Sequence, residues 1–250
     1  MTSDVAVVIP ARYAASRLPG KPLIPIAGKP MIQWVYERAL QIRNVSQVIV
    51  ATDDLRIADT VKQFGGVAIM TPENCANGSE RVGIVAHLID ADIVVNLQGD
   101  EPLISPAAVT QAIMALQQNP ALSVATLGFP LEDAFDWQNP AIVKVLVNCN
   151  MQAIYFSRAP IPHPRDDEFQ PLPLLFRHIG VYVYRKNFLL QFLEWPEGVL
   201  EKVEKLEQLR IVERGFPIHV VLAESLSPGV DTPEDLPKVE ELIKQRGQNG

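Results

Sequence analysis

The chain has 250 residues, 48% of them hydrophobic and 20% charged, and a formal net charge of −7. A chain of this length buries roughly three quarters of its unfolded surface, and the composition is that of an ordinary globular protein. The acidic balance excludes a general binder of nucleic acid or of anionic membrane, because that affinity comes from an excess of cations. An anion site here must be a local cation cluster or use a bridging metal. The longest apolar runs are too short for membrane insertion. Residues 1–4 lack the basic flank of a signal peptide, so a cytoplasmic location is expected. Cys75 and Cys149 lie far apart with no CxxC or histidine spacing of a zinc site. Both are expected as reduced thiols in or near the core.

Residues 5–10 (VAVVIP) read as a buried first strand. A loop follows that carries Arg12, Arg17 and Lys21 among Pro19, Gly20 and Pro22. Residues 31–42 read as a helix entered from Pro30, 47–51 as a second strand, and 55–64 as a helix closed by Gly65 and Gly66. A short strand at 67–71, a helix at 80–89 after Asn77-Gly78-Ser79, and a strand at 92–97 come next. A helix at 106–118 and a strand at 123–129 complete the first half. This alternation, with near-continuous apolar strands, predicts a parallel sheet covered on both faces. The second half is less regular. It offers strands at 142–147, 153–156, 178–184 and 218–222, an amphipathic helix at 200–213 and a last helix at 233–244. Five prolines between 160 and 173 make 159–173 a long loop, of the kind that is functional or mobile.

The loop at 12–21 fits neither phosphate fingerprint. Gly20-Lys21 and Gly28-Lys29 are each followed by proline rather than Ser or Thr, and GxGxxG is absent. Phosphate contacts must therefore come largely from side chains, since proline has no N–H to donate. The loop leaves the carboxyl end of the first strand, where open α/β sheets bind ligands. Asn96-Leu97-Gln98-Gly99-Asp100-Glu101-Pro102 leaves the fourth strand at the same end, so Asp100 and Glu101 are expected to point into that crevice. Gly99 permits a close backbone approach. Carboxylates facing a phosphate loop suit Mg²⁺, which takes one or two carboxylates plus phosphate oxygens and water; a turn-capping Asp is the alternative. Asp231-Thr232-Pro233 reads as a helix cap or as a second metal carboxylate. The turn Asn77-Gly78-Ser79-Glu80-Arg81 reads equally as a helix cap or as a backbone approach to a flat base. His178 and Tyr182, four apart on one strand, share a face. Glu201 and Glu204 are expected on a solvated helix face, with a Glu201–Lys205 pair.

The segments IPARYAASRLPGKPL (9–23), GKPMI, VATDD, NGSER, NLQGDEP, YFSRAPIP, RHIGVYVYR, LEKVEKLEQLR and GVDTPEDL (229–236) occur in this order over nearly the whole chain. Together they closely resemble the 3-deoxy-manno-octulosonate cytidylyltransferase family, the CMP-Kdo synthetases. Asn77 and Ser79 stand where that family more often has Ser and Thr, and 148–151 and 166–174 differ in detail. The resemblance implies a Rossmann-like nucleotide-diphospho-sugar transferase fold, with a mostly parallel mixed sheet and helices on both faces, in a homodimer. It implies one catalytic domain over 1–250: a nucleotide part to about 130, a sugar-binding and dimerisation part over 131–225, and a metal-site segment and helix from 226. CTP and the acid sugar Kdo would give CMP-Kdo and pyrophosphate for a surface glycan, with Mg²⁺. Arg12, Arg17 and Lys21 would hold the triphosphate, and Asn77, Gly78, Ser79 and Arg81 would face the cytosine. Asp100 and Asp231 would hold the metal, with Arg12 and Lys21 joining them as catalytic groups. Gln98, Arg158, His178, Tyr182, Glu207 and Gln208 would contact the sugar, Arg158 through its carboxylate. A sialic-acid enzyme of the same fold typically has a Gly- and Lys-rich opening, which this chain lacks; the 8-amino analogue of Kdo stays open. A non-catalytic nucleotide-binding protein is disfavoured by the presence of both Asp100 and Asp231.

Overall fold

A computed structural model describes residues 3–14, 18–165 and 169–248. Its first strand, β1 (Val5–Ala11), is buried at every position. A 3-10 turn (Lys21–Leu23) follows, then a small ribbon of β2 (Pro25–Ile26) and β3 (Lys29–Pro30). The chain continues through α1 (Met31–Ala39), β4 (Gln47–Thr52), α2 (Leu55–Gln63), β5 (Ala68–Met70), α3 (Gly78–Leu88), β6 (Ile93–Asn96), α4 (Pro106–Gln118) and β7 (Val124–Pro130). The second half holds α5 (Ala134–Gln138), β8 (Lys144–Val147), β9 (Ala153–Ser157), β10 (Leu175–Arg185), α6 (Lys186–Glu194), α7 (Val199–Glu204), α8 (Leu209–Glu213), β11 (His219–Leu222) and α9 (Asp235–Gln248). Among the described residues no helix is long and apolar enough to cross a membrane.

The main sheet has nine strands in the order β11-β7-β10-β6-β1-β4-β5, with β8 and β9 branching from β10. The run β6-β1-β4-β5 is parallel. β10 runs antiparallel to both β6 and β7, which makes the sheet mixed where the alternation alone predicts a parallel one. Strand direction of connection reverses at β1, with β4 on one side and β6 on the other. Ligands of open α/β sheets bind in the crevice at such a switch point.

Burial on both faces explains why the strands read as continuous apolar runs. Val5, Val7 and Ile9 pack with residues of α1, α2 and α4 on one face. Val8 packs with residues of α3, α6 and α8 on the other. A third cluster sets Val239 and Ile243 of α9 against Ile26, Met31 and Val230, which fixes the segment bearing Asp231 against the nucleotide half.

Three expectations fail. The single helix expected at 200–213 is two, α7 and α8, because Lys205 takes the left-handed conformation at φ 55°. Glu201 does not face solvent: it is buried and takes a bidentate ion pair from Arg210, while Glu204 accepts hydrogen bonds from Ser157 and Arg158. Cys149 is exposed in the turn between β8 and β9 rather than near the core. The helices α5 and α6 have no counterpart in the sequence reading.

Candidate active site

A cavity of about 310 Å³ opens at the switch point, lined by Arg12, Leu18, Lys21, Asn77, Gly78, Arg81, Gln98, Asp100 and Asp231, with Cys75. Gly20, left-handed at φ 69°, turns the loop so that Lys21 enters this cavity. The Lys21 ammonium lies 2.7 Å from Asp100 Oδ2 and 3.3 Å from Asp231 Oδ1. The two carboxylates, 131 residues apart in sequence, thus converge on one cation. Asp235, the first residue of α9, reaches back to accept from the N–H groups of 231 and 232. Gly99 is required by packing, since a Cβ there would stand 2.9 Å from the Pro10 carbonyl of β1. Arg81 is buried, its guanidinium held by Asp53 at 2.7 Å and by Thr71. Asn77 caps α3 by accepting from the Glu80 N–H, so the cap and the cavity wall are one residue.

A second cavity of about 440 Å³ adjoins the first and shares Gly78 and Gln98 with it. Its walls carry Ser79, Arg158, Arg177, His178, Tyr182, Lys205, Glu207 and Gln208. Thr126 Oγ1 has one proton and donates it to the Val181 carbonyl, so His178 Nε2, 2.9 Å away, is the donor to Thr126. Burial pushes His178 down to about 3, which leaves it neutral. Burial pushes Glu207 up to about 7, against the opposing hydrogen bond from Ser79. Tyr182 is raised well above its usual value by burial and by Glu207. Glu207 Oε1 and Gln208 Nε2 are buried with no hydrogen-bond partner among the described residues. Buried polar atoms are rarely left unmet, and here both belong to residues of a cavity wall.

The cavities gather the described residues expected to bind nucleotide, metal and sugar, but not as expected in each case. Ser79 belongs to the second cavity, hydrogen-bonded to Glu207, rather than with the cytosine group in the first. Glu101 does not line the first cavity. It lies beneath Gly229, and burial followed by the charges of Asp100 and Asp231 pushes it up to about 8. Arg17 lies outside the described residues. Sequence reasoning missed Arg177 and Lys205, which add two cations to the second cavity. Arg177 stands one residue before His178 in a motif already noted, and Lys205 was assigned to an unbroken helix.

A Rossmann-like mixed sheet with a cationic loop and paired carboxylates at its switch point is the architecture of a nucleotidyltransferase. The chain belongs to the cytidylyltransferase family, whose model matches residues 6–223. It is 52% identical to the 3-deoxy-manno-octulosonate cytidylyltransferase of Syntrophotalea carbinolica, over 96% of this chain and 99% of that protein. It is 47% identical to the Escherichia coli protein of the same name, over 97% of each chain. The solved structure of CMP:2-keto-3-deoxy-manno-octonic acid synthetase complexed with CTP matches with a TM-score of 0.92 at 47% identity, covering 98% of this chain and all (100%) of that one. A 4-diphosphocytidyl-2C-methyl-D-erythritol synthase from Anaerococcus prevotii shares the fold alone, with a TM-score of 0.67 at 13% identity.

Proposed function

We propose that this chain transfers CMP from CTP to the anomeric hydroxyl of Kdo, releasing pyrophosphate. The observation that carries the reading is the junction of two cavities with complementary chemistry. The first pairs cations with two convergent carboxylates, as a triphosphate with its counter-ion needs. The second has Arg158, Arg177 and Lys205 for an acid and unmet polar atoms for hydroxyls. The sugar oxygen forms a bond to the α-phosphorus, the bond from that phosphorus to the β-phosphate oxygen breaks, and the hydroxyl proton passes to solvent. Arg12, Arg17 and Lys21 hold the triphosphate and stabilise the departing charge, and such transfers are catalysed chiefly by positioning and charge. Arg81, Asn77 and Gly78 take the cytosine. Gln98, at the junction, and Arg158, His178, Tyr182, Glu207 and Gln208 take the sugar.

Mg²⁺ fits Asp100 and Asp231, because both carboxylates already reach a single ammonium. Among the described residues no group of three or more metal-binding side chains exists, so phosphate oxygens and water would complete the shell. When bound, the ion lowers the pKa of the attacking hydroxyl and neutralises phosphate charge. The protein works in the cytoplasm, and as a homodimer; the edge strand β9 with Ile154 exposed supports the dimer. The test is pyrophosphate release from CTP and Mg²⁺ with a panel of keto-acid sugars. Release is expected with Kdo; release with sialic acid but not with Kdo would sink the assignment.

A further inference from the structure

Arg158 stands where three walls of the second cavity meet. Its N–H donates to Glu204 Oε2 at 2.9 Å, and its carbonyl accepts from Lys144 Nζ at 2.6 Å. The side chain is held too: Nε donates to the Glu204 carbonyl at 3.2 Å and Nη1 to the Pro140 carbonyl at 3.1 Å. Lys144 is fully buried, and its ammonium also donates to the carbonyls of Asn139 and Ile142. Its three donors are thus all met, and they tie the wall at 141–143 to the strand end that carries Arg158. The Glu204 carboxylate also accepts from Ser157 Oγ, which ties the wall at 205–208 to the same strand end. Neither Lys144 nor Glu204 lines the cavity. The Arg158 side-chain bonds engage Nε and one N–H of Nη1, and leave Nη2 with no partner among the described residues, so that Nη2 and the second N–H of Nη1 can meet a carboxylate.

Resting on the reading that this cavity takes the acid sugar, we propose that Glu204 and Lys144 are positioning residues that aim Arg158 at the substrate carboxylate. A double-mutant cycle tests this. Glu204→Gln and Lys144→Met are each expected to raise the KM for Kdo about tenfold, the scale of a lost charge-assisted hydrogen bond. The KM for CTP should move less than about twofold, since binding at the other cavity is a separate term. In an Arg158→Ala background both effects on Kdo should vanish, because residues acting through one partner are not additive. If the effects persist undiminished in that background, or if both KM values rise together, the inference is overturned. Ser157→Ala, which removes one bond to Glu204, supplies the same cycle if Lys144→Met does not fold. An Arg158→Ala variant with unchanged KM for Kdo would instead defeat the reading of the cavity itself.

Discussion

Asp100 is about a third exposed, at 36%, and its carboxylate pairs with the Lys21 ammonium. Under the proposed role, its removal disturbs charge at the reacting phosphate far more than it disturbs folding. Asp100→Asn is expected to lower kcat roughly 10²- to 10³-fold, the cost of losing one preorganised charge contact, with the unfolding midpoint nearly unchanged. Unchanged turnover with Mg²⁺ would remove Asp100 from the metal role. Its neighbour behaves in the opposite way. Gly99→Ala brings a methyl group to 2.9 Å from a main-chain carbonyl of β1, which has no rotamer by which to yield. A loss of about 1–3 kcal/mol is expected, as for other overpacked sites, and urea denaturation measures it. The sequence shows Gly99 as a place of close approach, but not what is approached. Asp231 shows the limit more sharply. Asp231-Thr232-Pro233 taken alone favours a helix cap over a metal ligand, and only the fold brings the Asp231 carboxylate beside that of Asp100 on one ammonium.

At the scale of elements, the break between α7 and α8 matters most. Residues 199–213 contain no Gly or Pro to mark it, so periodicity runs through it unbroken. The break is a tertiary event. Glu201 turns inward to Arg210, Glu204 is drawn to the end of β9, and Lys205 absorbs the reversal at φ 55°. As a result Glu207 and Gln208 enter the cavity wall, which a continuous helix would not allow. Likewise α6 begins directly where β10 ends, at Arg185, with no side-chain cap to announce it. A left-handed lysine is strained, and strain of this kind gathers at functional sites. Lys205→Gly is expected to stabilise the protein by roughly 0.5–1 kcal/mol, because glycine pays no Cβ penalty there. The same variant should raise the KM for Kdo, since it removes a cation from the cavity. A variant that gains stability with unchanged KM would show that Lys205 serves the turn alone.

For the whole molecule, the parallel half was legible because both of its faces are buried and its strands are therefore uniformly apolar. The antiparallel β10 was legible as a strand but not in direction, since direction depends on the route of the loop before it. Two residues of the second cavity's wall, Glu207 and His178, also carry a global consequence that no local pattern shows. Glu207 is raised from 4.5 to about 7 by burial, so its contribution to stability is complete below 4.5 and is lost as pH rises to about 7. His178 is lowered from 6.5 to about 3 by burial, so its contribution is complete above 6.5 and is lost as pH falls to about 3. Each proton alters unfolding free energy by about 1.4 kcal/mol per pH unit across its window. From 4.5 to 6.5 the two slopes oppose and cancel. Glu101, raised from 4.5 to about 8, adds a further falling slope, so these three groups give a net fall in stability from 4.5 to 6.5 that continues to about 8. Urea denaturation across pH should show that fall flattened between 4.5 and 6.5 in Glu207→Gln and steepened in His178→Gln. Two variants with the unsubstituted protein's slope would mean that neither group is held away from its ordinary ionisation by the fold.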